Sequence, residues 1–144
     1  MSVDVEEVRE ATGEVAAAMR RLLPQLSASA APPDQAALQR IVASEAITLL
    51  AARVDGQIAG LLALAMFPIP TGFRAWIEDV IVDEAARGQG IGEALTRKAL
   101  DLAEAAGART VDLTSRPSRA AAGRLYERVG FAERSTRIYR YTFG

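Results

Sequence analysis

Three glycines at alternate positions, Gly88, Gly90 and Gly92, stand where an apolar stretch gives way to a long amphipathic one. Residues 80–82, just upstream, are β-branched and apolar, which is typical of a buried strand. Downstream, apolar residues recur at helical spacing until Gly107 ends the run. The first turn of a helix has backbone N–H groups without intrahelical partners and carries the positive end of the helix dipole. Glycines leave those groups accessible, so the segment predicts a phosphate-binding bend.

The spacing of the glycines distinguishes this bend from two common phosphate-binding motifs. The dinucleotide fingerprint G-x-G-x-x-G requires a glycine at position 93, which is Glu93 here. The loop that binds ATP or GTP ends in G-K-[ST], and no such triplet follows the bend. A nucleotide-binding protein is therefore an alternative that the spacing disfavours.

Two segments resemble the signatures of one enzyme family. Residues 87–92 read R-G-Q-G-I-G and resemble the [QR]-x-x-G-x-[GA] motif of the GNAT family, the N-acetyltransferases that use acetyl-coenzyme A. Residues 125–131 read L-Y-E-R-V-G-F and resemble the L-Y-x-x-x-G-F motif of the same family. The resemblance extends from about Ile47 to Phe131. It implies an α/β (α+β) fold whose mixed central sheet of about seven strands is flanked by four helices, in the order β-α-α-β-β-β-α-β-α-β-β.

The resemblance also implies a function and its partners. The chain is expected to transfer the acetyl group of acetyl-CoA to a primary amine by direct attack in a ternary complex, without a metal. Short length and balanced charge favour a small-molecule acceptor, whereas a protein amine stays open. A non-catalytic acyl-CoA-binding or regulatory module of the same fold is the other alternative. A homodimer also stays open.

For the cofactor, the resemblance implies two backbone segments and one side chain. A bulge in the strand that begins at Glu78 would free backbone amides to polarise the thioester and to pair with the pantetheine arm. Many relatives carry Asn about six residues before the motif leucine; this chain has Arg119 there, and Ser118 or Arg119 would replace that contact. The expected cofactor-binding residues are Val80, Ile81, Val82, Arg87, Gly88, Gln89, Gly90, Ile91, Gly92 and Arg119.

Two side chains are candidates for proton transfer. Glu78 lies at the acceptor end of its strand, where family members often carry a carboxylate that accepts the amine proton directly or through water. A base is needed because an alkyl amine is mostly protonated at neutral pH. Strand alternation places Asp79 on the opposite face, although a bulge would change that. Tyr126 occupies the motif position whose tyrosine points at the coenzyme sulfur, and we expect it to protonate the leaving thiolate.

Composition narrows the chemistry further. The 144 residues fit one domain, 1–144, and 50% of them are hydrophobic, enough for a sizeable core. With 17 basic and 18 acidic residues, the net charge of −1 argues against nucleic acid or an anionic membrane as the main partner. Without a long apolar run or a signal peptide, a cytoplasmic location is expected. The absence of cysteine and histidine excludes disulfides, histidine bases and the usual zinc ligand sets.

The predicted elements place these residues along one sheet. Alternation and β-branched content predict strands at 3–8, 47–54, 57–67, 73–82, 109–115, 131–133 and 137–143. Helical spacing predicts helices over about 15–26, from Asp34, over 91–106, and from Ser115 or Ser118, with Pro117 between them, to Gly130. Asp55-Gly56 predicts a hairpin turn, and 27–33 and 68–72 are predicted loops. In GNAT proteins the region equivalent to 27–33 often borders the acceptor site.

Overall fold

The structure, a computed structural model, describes residues 2–116 and 118–144. The strands are β1 (Val3–Glu7), β2 (Ile47–Val54), β3 (Gln57–Ile69), β4 (Gly72–Val82) and β5 (Val111–Asp112). The helices are α1 (Gly13–Leu26), α2 (Gln35–Ala43), α3 (Ile91–Ala105) and α4 (Ala120–Val129), and a 3₁₀ turn spans Glu84–Ala86. Within these ranges no helix has both the length and the apolar character that crossing a membrane requires. Nor do the described residues include a group of three acidic side chains placed to hold a metal ion.

The strands form one mixed sheet in the order β1-β2-β3-β4-β5. Strands β1 to β4 are antiparallel neighbours, and a tight turn at Asp55 and Gly56, both with positive φ, joins β2 to β3. Strand β5 runs parallel to β4, since α3 carries the chain across the sheet between them. The predicted mixed fold with four helices is confirmed, but the described residues form five strands rather than about seven.

Each face of the sheet buries its own core. Helix α3 covers one face, where Leu95 is fully buried in a cluster that includes Ile77 of β4. Helices α1 and α2 cover the other face, where Leu22 and Leu38 are buried in a cluster that includes Ile81 of β4. Strand β4 thus contributes to both cores, and Glu78, the predicted base, lies in its carboxyl-terminal half.

Helix α3 approaches β3 closely at Gly60. A Cβ there would lie 2.7 Å from Cγ2 of Ile91 and 3.0 Å from the carbonyl oxygen of Ile81. The first residue of α3 therefore rests directly on the strand, which any larger residue at position 60 would prevent. This contact brings the start of α3, which follows the glycine bend, close to β3 and to Ile81 of β4. Sequence analysis did not predict this role, because Gly60 stands inside an apolar run without a turn signal.

Three predicted strands differ from the structure. The strand predicted at 109–115 is reduced to Val111–Asp112, which pairs with β4. The strands predicted at 131–133 and 137–143 are wrong, because no strand is assigned from residue 131 to 144. The alternating aromatic residues in this segment fit the pattern of a strand. A strand also needs a hydrogen-bonded neighbour, however, and none of the described elements pairs with the segment.

Other boundaries shift by a few residues. Strand β3 ends at Ile69 and β4 begins at Gly72, so the predicted loop 68–72 contracts to a turn at 70–71. Helix α4 begins at Ala120. Pro117, which the sequence placed between two possible starts of that helix, lies outside the described residues.

Candidate active site

Strand β4 contains a bulge between Glu78 and Ile81. The two-residue step from Leu61 to Ala63 on β3 is matched by a three-residue step on β4. Asp79 lies within the bulge and has a φ of 51°, in the left-handed region that residues other than glycine adopt infrequently. A bulge of this kind leaves backbone groups outside the ladder. The bulge that the family resemblance implied is therefore confirmed.

The bulge brings two carboxylates to one face of the sheet. Glu78 shares its face with its cross-strand partner Ala63, which packs against the core beneath α1 and α2. Asp79 lines a cavity on that same side, together with Ala63. The alternation that placed Asp79 on the opposite face does not hold, because the extra residue shifts the pleat. Both carboxylates are thus candidates for the base.

Neighbouring side chains orient Glu78. Its Oε1 accepts a 2.7 Å hydrogen bond from Nε1 of Trp76, two residues earlier on the same face. The guanidinium of Arg74 lies 5.6 Å from the centre of the Trp76 ring, and its Nη2 donates a 2.6 Å hydrogen bond to Oδ2 of Asp112 on β5. A series of contacts therefore connects the exposed Glu78 carboxylate to the neighbouring strand.

A cavity of about 110 Å³ opens beside the bulge. Apolar side chains from both helices line it, including Met19 and Leu23 of α1, and so does Pro33 of the loop before α2. Asp79 is the charged residue among the described ones that line it. A wider surface concavity of about 590 Å³, near the start of α1, contains none of the predicted site residues. The smaller cavity is therefore the candidate acceptor pocket.

Strand β4 continues beyond Trp76, where its pairing with β5 ends. Strand β5 pairs with β4 only at Ala75 and Trp76 within the described chain. The edge of β4 over residues 77–82 consequently faces no strand on that side. Backbone groups of residues 80–82, which were predicted to bind the cofactor, therefore have no strand neighbour on that side in the described sheet, where an extended ligand chain could pair with them.

The glycine bend presents a row of backbone donors. Gly88 and Gly90 have φ values of 83° and 77°, and Gly90 precedes α3 without a side-chain cap. In the described ranges, the N–H groups from Gly88 to Glu93 have no hydrogen-bond partner. A Cβ at either of the first two glycines would meet no atom within 4 Å, so the space outside the bend is open. This geometry suits an anionic group at the start of a helix.

Two side chains of the bend add to the fit. Arg87 is exposed at its start, where its charge would favour a phosphate. Oε1 of Gln89 is buried and accepts no hydrogen bond from any described residue. Because an unpaired buried acceptor is costly, a donor is expected there. The amide N–H groups of a pantetheine arm are such donors, and a pyrophosphate suits the backbone N–H row, so these residues fit an acyl-coenzyme A.

The two sequence motifs meet at Gly92. A Cβ there would lie 3.3 Å from Cδ1 of Leu125 on α4 and 3.6 Å from Cγ2 of Val82 at the end of β4. Beside it, Glu93 forms a 3.1 Å ion pair with Arg128 of α4. The end of β4, the start of α3 and the middle of α4 thus converge on one point.

Glu93 also explains a departure from the dinucleotide fingerprint. Hydrogen bonds from Arg97 and Arg128 hold the pKa of its carboxyl below its usual range. The residue is therefore ionised at neutral pH, and two guanidinium groups offset its charge beside the bend. A glycine at this position would lack the carboxylate that pairs with Arg128 of α4.

Tyr126 is half-buried on α4. Its ring meets that of Phe131 edge to face, with centroids 5.7 Å apart. Burial raises the pKa of its phenol, and the positive charge of Arg119 opposes that rise. The phenol is thus protonated at neutral pH and is able to donate its proton. Arg119, at the start of α4, also donates a 3.4 Å hydrogen bond to the carbonyl oxygen of Leu26 at the end of α1.

Comparison with known proteins identifies curated relatives that match only part of this chain. Streptothricin acetyltransferase of Streptomyces lavendulae is 37% identical over 90 residues, which are 59% of this chain and 44% of that protein. N-alpha-acetyltransferase 30 of Schizosaccharomyces pombe is 38% identical over 71 residues, which are 49% of this chain and 47% of that protein. The chain therefore spans less than half the length of these two curated relatives.

Solved structures and a family model extend the similarity to most of the chain. A structure described as a transcriptional regulator from Bacillus halodurans C-125 is 27% identical to this chain and superimposes on it with a TM-score of 0.84. The match covers 99% of this chain and 100% of that one. The model of the Acetyltransferase (GNAT) family matches residues 15–131. Since that match includes both motifs, the bulged strand and the glycine bend, this chain belongs to the GNAT acetyltransferase family.

Proposed function

We propose that this chain transfers the acetyl group of acetyl-CoA to the primary amine of a small molecule, by direct attack in a ternary complex. The observation that carries the proposal is the convergence at Gly92, where the end of β4, the open glycine bend and the Leu125-Tyr126 motif meet. In the proposal, the glycine bend binds the activated acyl donor and Tyr126 supplies the proton, both at the end of the bulged strand.

Acetyl-CoA supplies the acetyl group as a thioester. In the proposal, the free N–H groups of the bend bind its pyrophosphate, with Arg87 adding positive charge. Gln89 accepts a hydrogen bond from the pantetheine arm, which lies along the open edge of residues 80–82. Arg119 contributes a further positive charge at the start of α4. This assignment uses the unpaired donors and the unpaired acceptor of the site together.

The chain's own groups then handle two protons. The amine gives up a proton to Glu78 or Asp79, directly or through water, and its nitrogen attacks the thioester carbonyl. The new N–C bond forms as the C–S bond breaks, the phenol of Tyr126 gives its proton to the departing sulfur, and the nitrogen returns its second proton through water to the Tyr126 phenoxide. Because burial raises the pKa of Tyr126, the phenol holds this proton at neutral pH.

The size of the candidate acceptor pocket favours a small molecule. A cavity of about 110 Å³ holds a few non-hydrogen atoms. A relative named for streptothricin supports the same class, whereas a relative named as an N-alpha-acetyltransferase supports a protein amine. A protein acceptor is the second candidate, since a terminal residue with a small side chain would also fit.

Detection of free thiol tests the proposal. The protein is mixed with acetyl-CoA and with primary amines, amino acids and short peptides in turn, while calorimetry measures the binding of acetyl-CoA, ATP and NAD separately. We expect tight binding of acetyl-CoA but not of ATP or NAD. We also expect release of free thiol that depends on the added amine. Binding without release for every amine would instead identify a non-catalytic acyl-CoA-binding module. Preference for peptides over free amines would select the protein acceptor.

A further inference from the structure

The cavity beside the bulge is apolar except at one point. Leu61 and Ala63 of β3 form its floor, Met19, Leu23 and Ile41 contribute from the two helices, and Asp79 provides a carboxylate. Leu61 and Met19 are buried, so these two apolar side chains of the lining have little contact with bulk water in the folded protein. A substituent that enters this space would exchange water for hydrocarbon on nearly every side.

Such a lining discriminates between kinds of amine. A hydroxyl or a second ammonium placed inside would lose its hydrogen bonds to water without a replacement. Each methylene group would instead gain about fourfold in affinity, and roughly four non-hydrogen atoms fill the space. Asp79 attracts the single ammonium group of the incoming acceptor.

We propose that the acceptor is a primary amine with a short, unbranched or singly branched aliphatic substituent, which enters this cavity while Asp79 faces the amine. The inference rests on the proposed acetyl transfer and narrows its substrate class. Amino sugars carry several hydroxyl groups around each amine, so the same lining disfavours them.

A homologous series of amines tests this directly. For methyl-, ethyl-, propyl-, butyl- and hexylamine, kcat/KM is expected to rise about fourfold per carbon up to about butylamine and then to level off or fall. Ethanolamine should be at least about tenfold poorer than propylamine, which has the same number of non-hydrogen atoms. Glucosamine should be poorer still. Equal rates across the series, or a preference for glucosamine, would overturn the inference.

Two variants that change the size of the cavity in opposite directions provide a second test. Leu23→Ala enlarges it and should move the optimum to a longer amine, while Ala63→Val narrows it and should move the optimum to a shorter one. Leu26→Ala makes the same deletion one turn further along α1, outside the lining, and should leave the optimum unchanged. An optimum that stays fixed in folded Leu23→Ala and Ala63→Val proteins would overturn the inference.

The test separates this inference from the function on which it rests. If no amine of any class releases thiol although acetyl-CoA binds, the acetyl transfer itself is wrong and the acceptor class falls with it. If amines are acetylated without dependence on aliphatic length, transfer stands and the proposed acceptor class is wrong.

A second observation, independent of the active site, concerns residues 132–144, the carboxyl-terminal arm. Ile138, Tyr139, Tyr141 and Phe143 are 65%, 87%, 81% and 89% exposed. Three of them recur at alternate positions, as on one face of a strand. The chain also contains an open strand edge, because β5 pairs on one side only in the described sheet.

We infer that the arm pairs with β5 of a second copy of this chain, and that the second copy's arm does the same in return. Burying one aromatic side chain removes roughly 150 Å² from water. Three aromatic residues from each of two arms, together with the surface that they cover, bring the interface to about the size of a stable dimer. Symmetric exchange uses one open edge and one arm from each copy, so it leaves neither unpaired.

Light scattering after size-exclusion chromatography tests the arm. We expect a dimer at micromolar concentration for the unmodified protein and a monomer for Tyr141→Arg, since a charge would enter the apolar face. Thr142→Arg adds the same charge to the opposite face of the arm and should remain dimeric. Amides at 111–115 and 137–143 should exchange with deuterium more slowly as protein concentration rises. A monomeric unmodified protein, a dimeric Tyr141→Arg variant, or exchange independent of concentration would each overturn the inference.

Discussion

Nε1 of Trp76 donates a 2.7 Å hydrogen bond to Oε1 of Glu78 on the same strand face. The contact fixes one oxygen of the carboxylate and leaves the other free to receive a proton. Asp79 follows directly, on the bulge and against the candidate acceptor pocket. Two carboxylates thus stand next to each other with different partners, and this arrangement makes their roles separable by experiment.

Glu78→Gln should lower kcat/KM by about a hundredfold at pH 7, because it removes a proton acceptor at nearly constant volume. The defect should shrink as pH approaches the pKa of the amine, where solution supplies the neutral nucleophile. A purely structural Glu78 would give a loss that is independent of pH.

Asp79→Asn is the matched control for that measurement. Asparagine tolerates the left-handed backbone at this position, so the bulge should persist. If Asp79→Asn shows the pH-dependent defect and Glu78→Gln does not, Asp79 is the base. If both show it, the two carboxylates act together.

Tyr126→Phe should lower turnover about a hundredfold while acetyl-CoA affinity and thermal stability stay nearly unchanged, since only the hydroxyl is lost. In the unmodified enzyme burial raises the pKa of the Tyr126 phenol, so the midpoint of the alkaline loss of rate should lie above the ordinary value for a tyrosine. Arg119→Gln removes the charge that opposes this shift and should move the loss to higher pH. Unchanged turnover in Tyr126→Phe, with chemistry rate-limiting, would exclude the phenol as the acid.

Gly90→Val should weaken acetyl-CoA binding at least about tenfold, because a branched side chain would stand in the open space before the free N–H groups. The same change also strains a backbone with a φ of 77°. Gly107→Val reproduces that strain at the other end of α3, where φ is 95°. Calorimetry should therefore show lost affinity for the first variant only.

Gly60→Ala should destabilise the protein by about 1–3 kcal/mol, because the added Cβ would lie 2.7 Å from Cγ2 of Ile91. It should also weaken acetyl-CoA binding, since Ile91 begins the helix that carries the bend. Gly123→Ala on α4 meets no atom within 4 Å and should be neutral or slightly stabilising. Urea unfolding and calorimetry on both variants measure the two effects.

Glu14→Gln should lower stability at pH 7 through Arg53. The guanidinium of Arg53 binds Glu14 at 2.6 Å and 2.7 Å and Glu6 at 2.7 Å, which joins α1 to β1 and β2. The Arg53 hydrogen bonds hold the pKa of Glu14 below 4.5, the ordinary value of a glutamate carboxyl in an unfolded chain. Its contribution should be complete above that value and disappear as pH falls through the folded-state pKa. Urea unfolding of both proteins should therefore converge at acidic pH; a constant difference would contradict the ion pair.

The sequence alone determined the local features of this protein. Hydrophobic periodicity predicted the four helices, and β-branched runs with the Asp55-Gly56 turn predicted β2 to β4 within a few residues. Spacing and motif resemblance predicted the glycine bend at the start of α3, and the family resemblance predicted the bulge. These features depend on near neighbours in the chain, so local propensity and pattern are sufficient to specify them.

Only the tertiary structure decided how these features meet. The contact of Gly92 with Leu125, the close approach at Gly60 and the cavity beside Asp79 each join segments that are distant in sequence. The same limit explains the wrong prediction of strands after residue 131, because an alternating pattern states which face is apolar but not whether a neighbouring strand is within reach. Pairing and burial depend on the positions of all elements at once, and no stretch of sequence encodes those positions by itself.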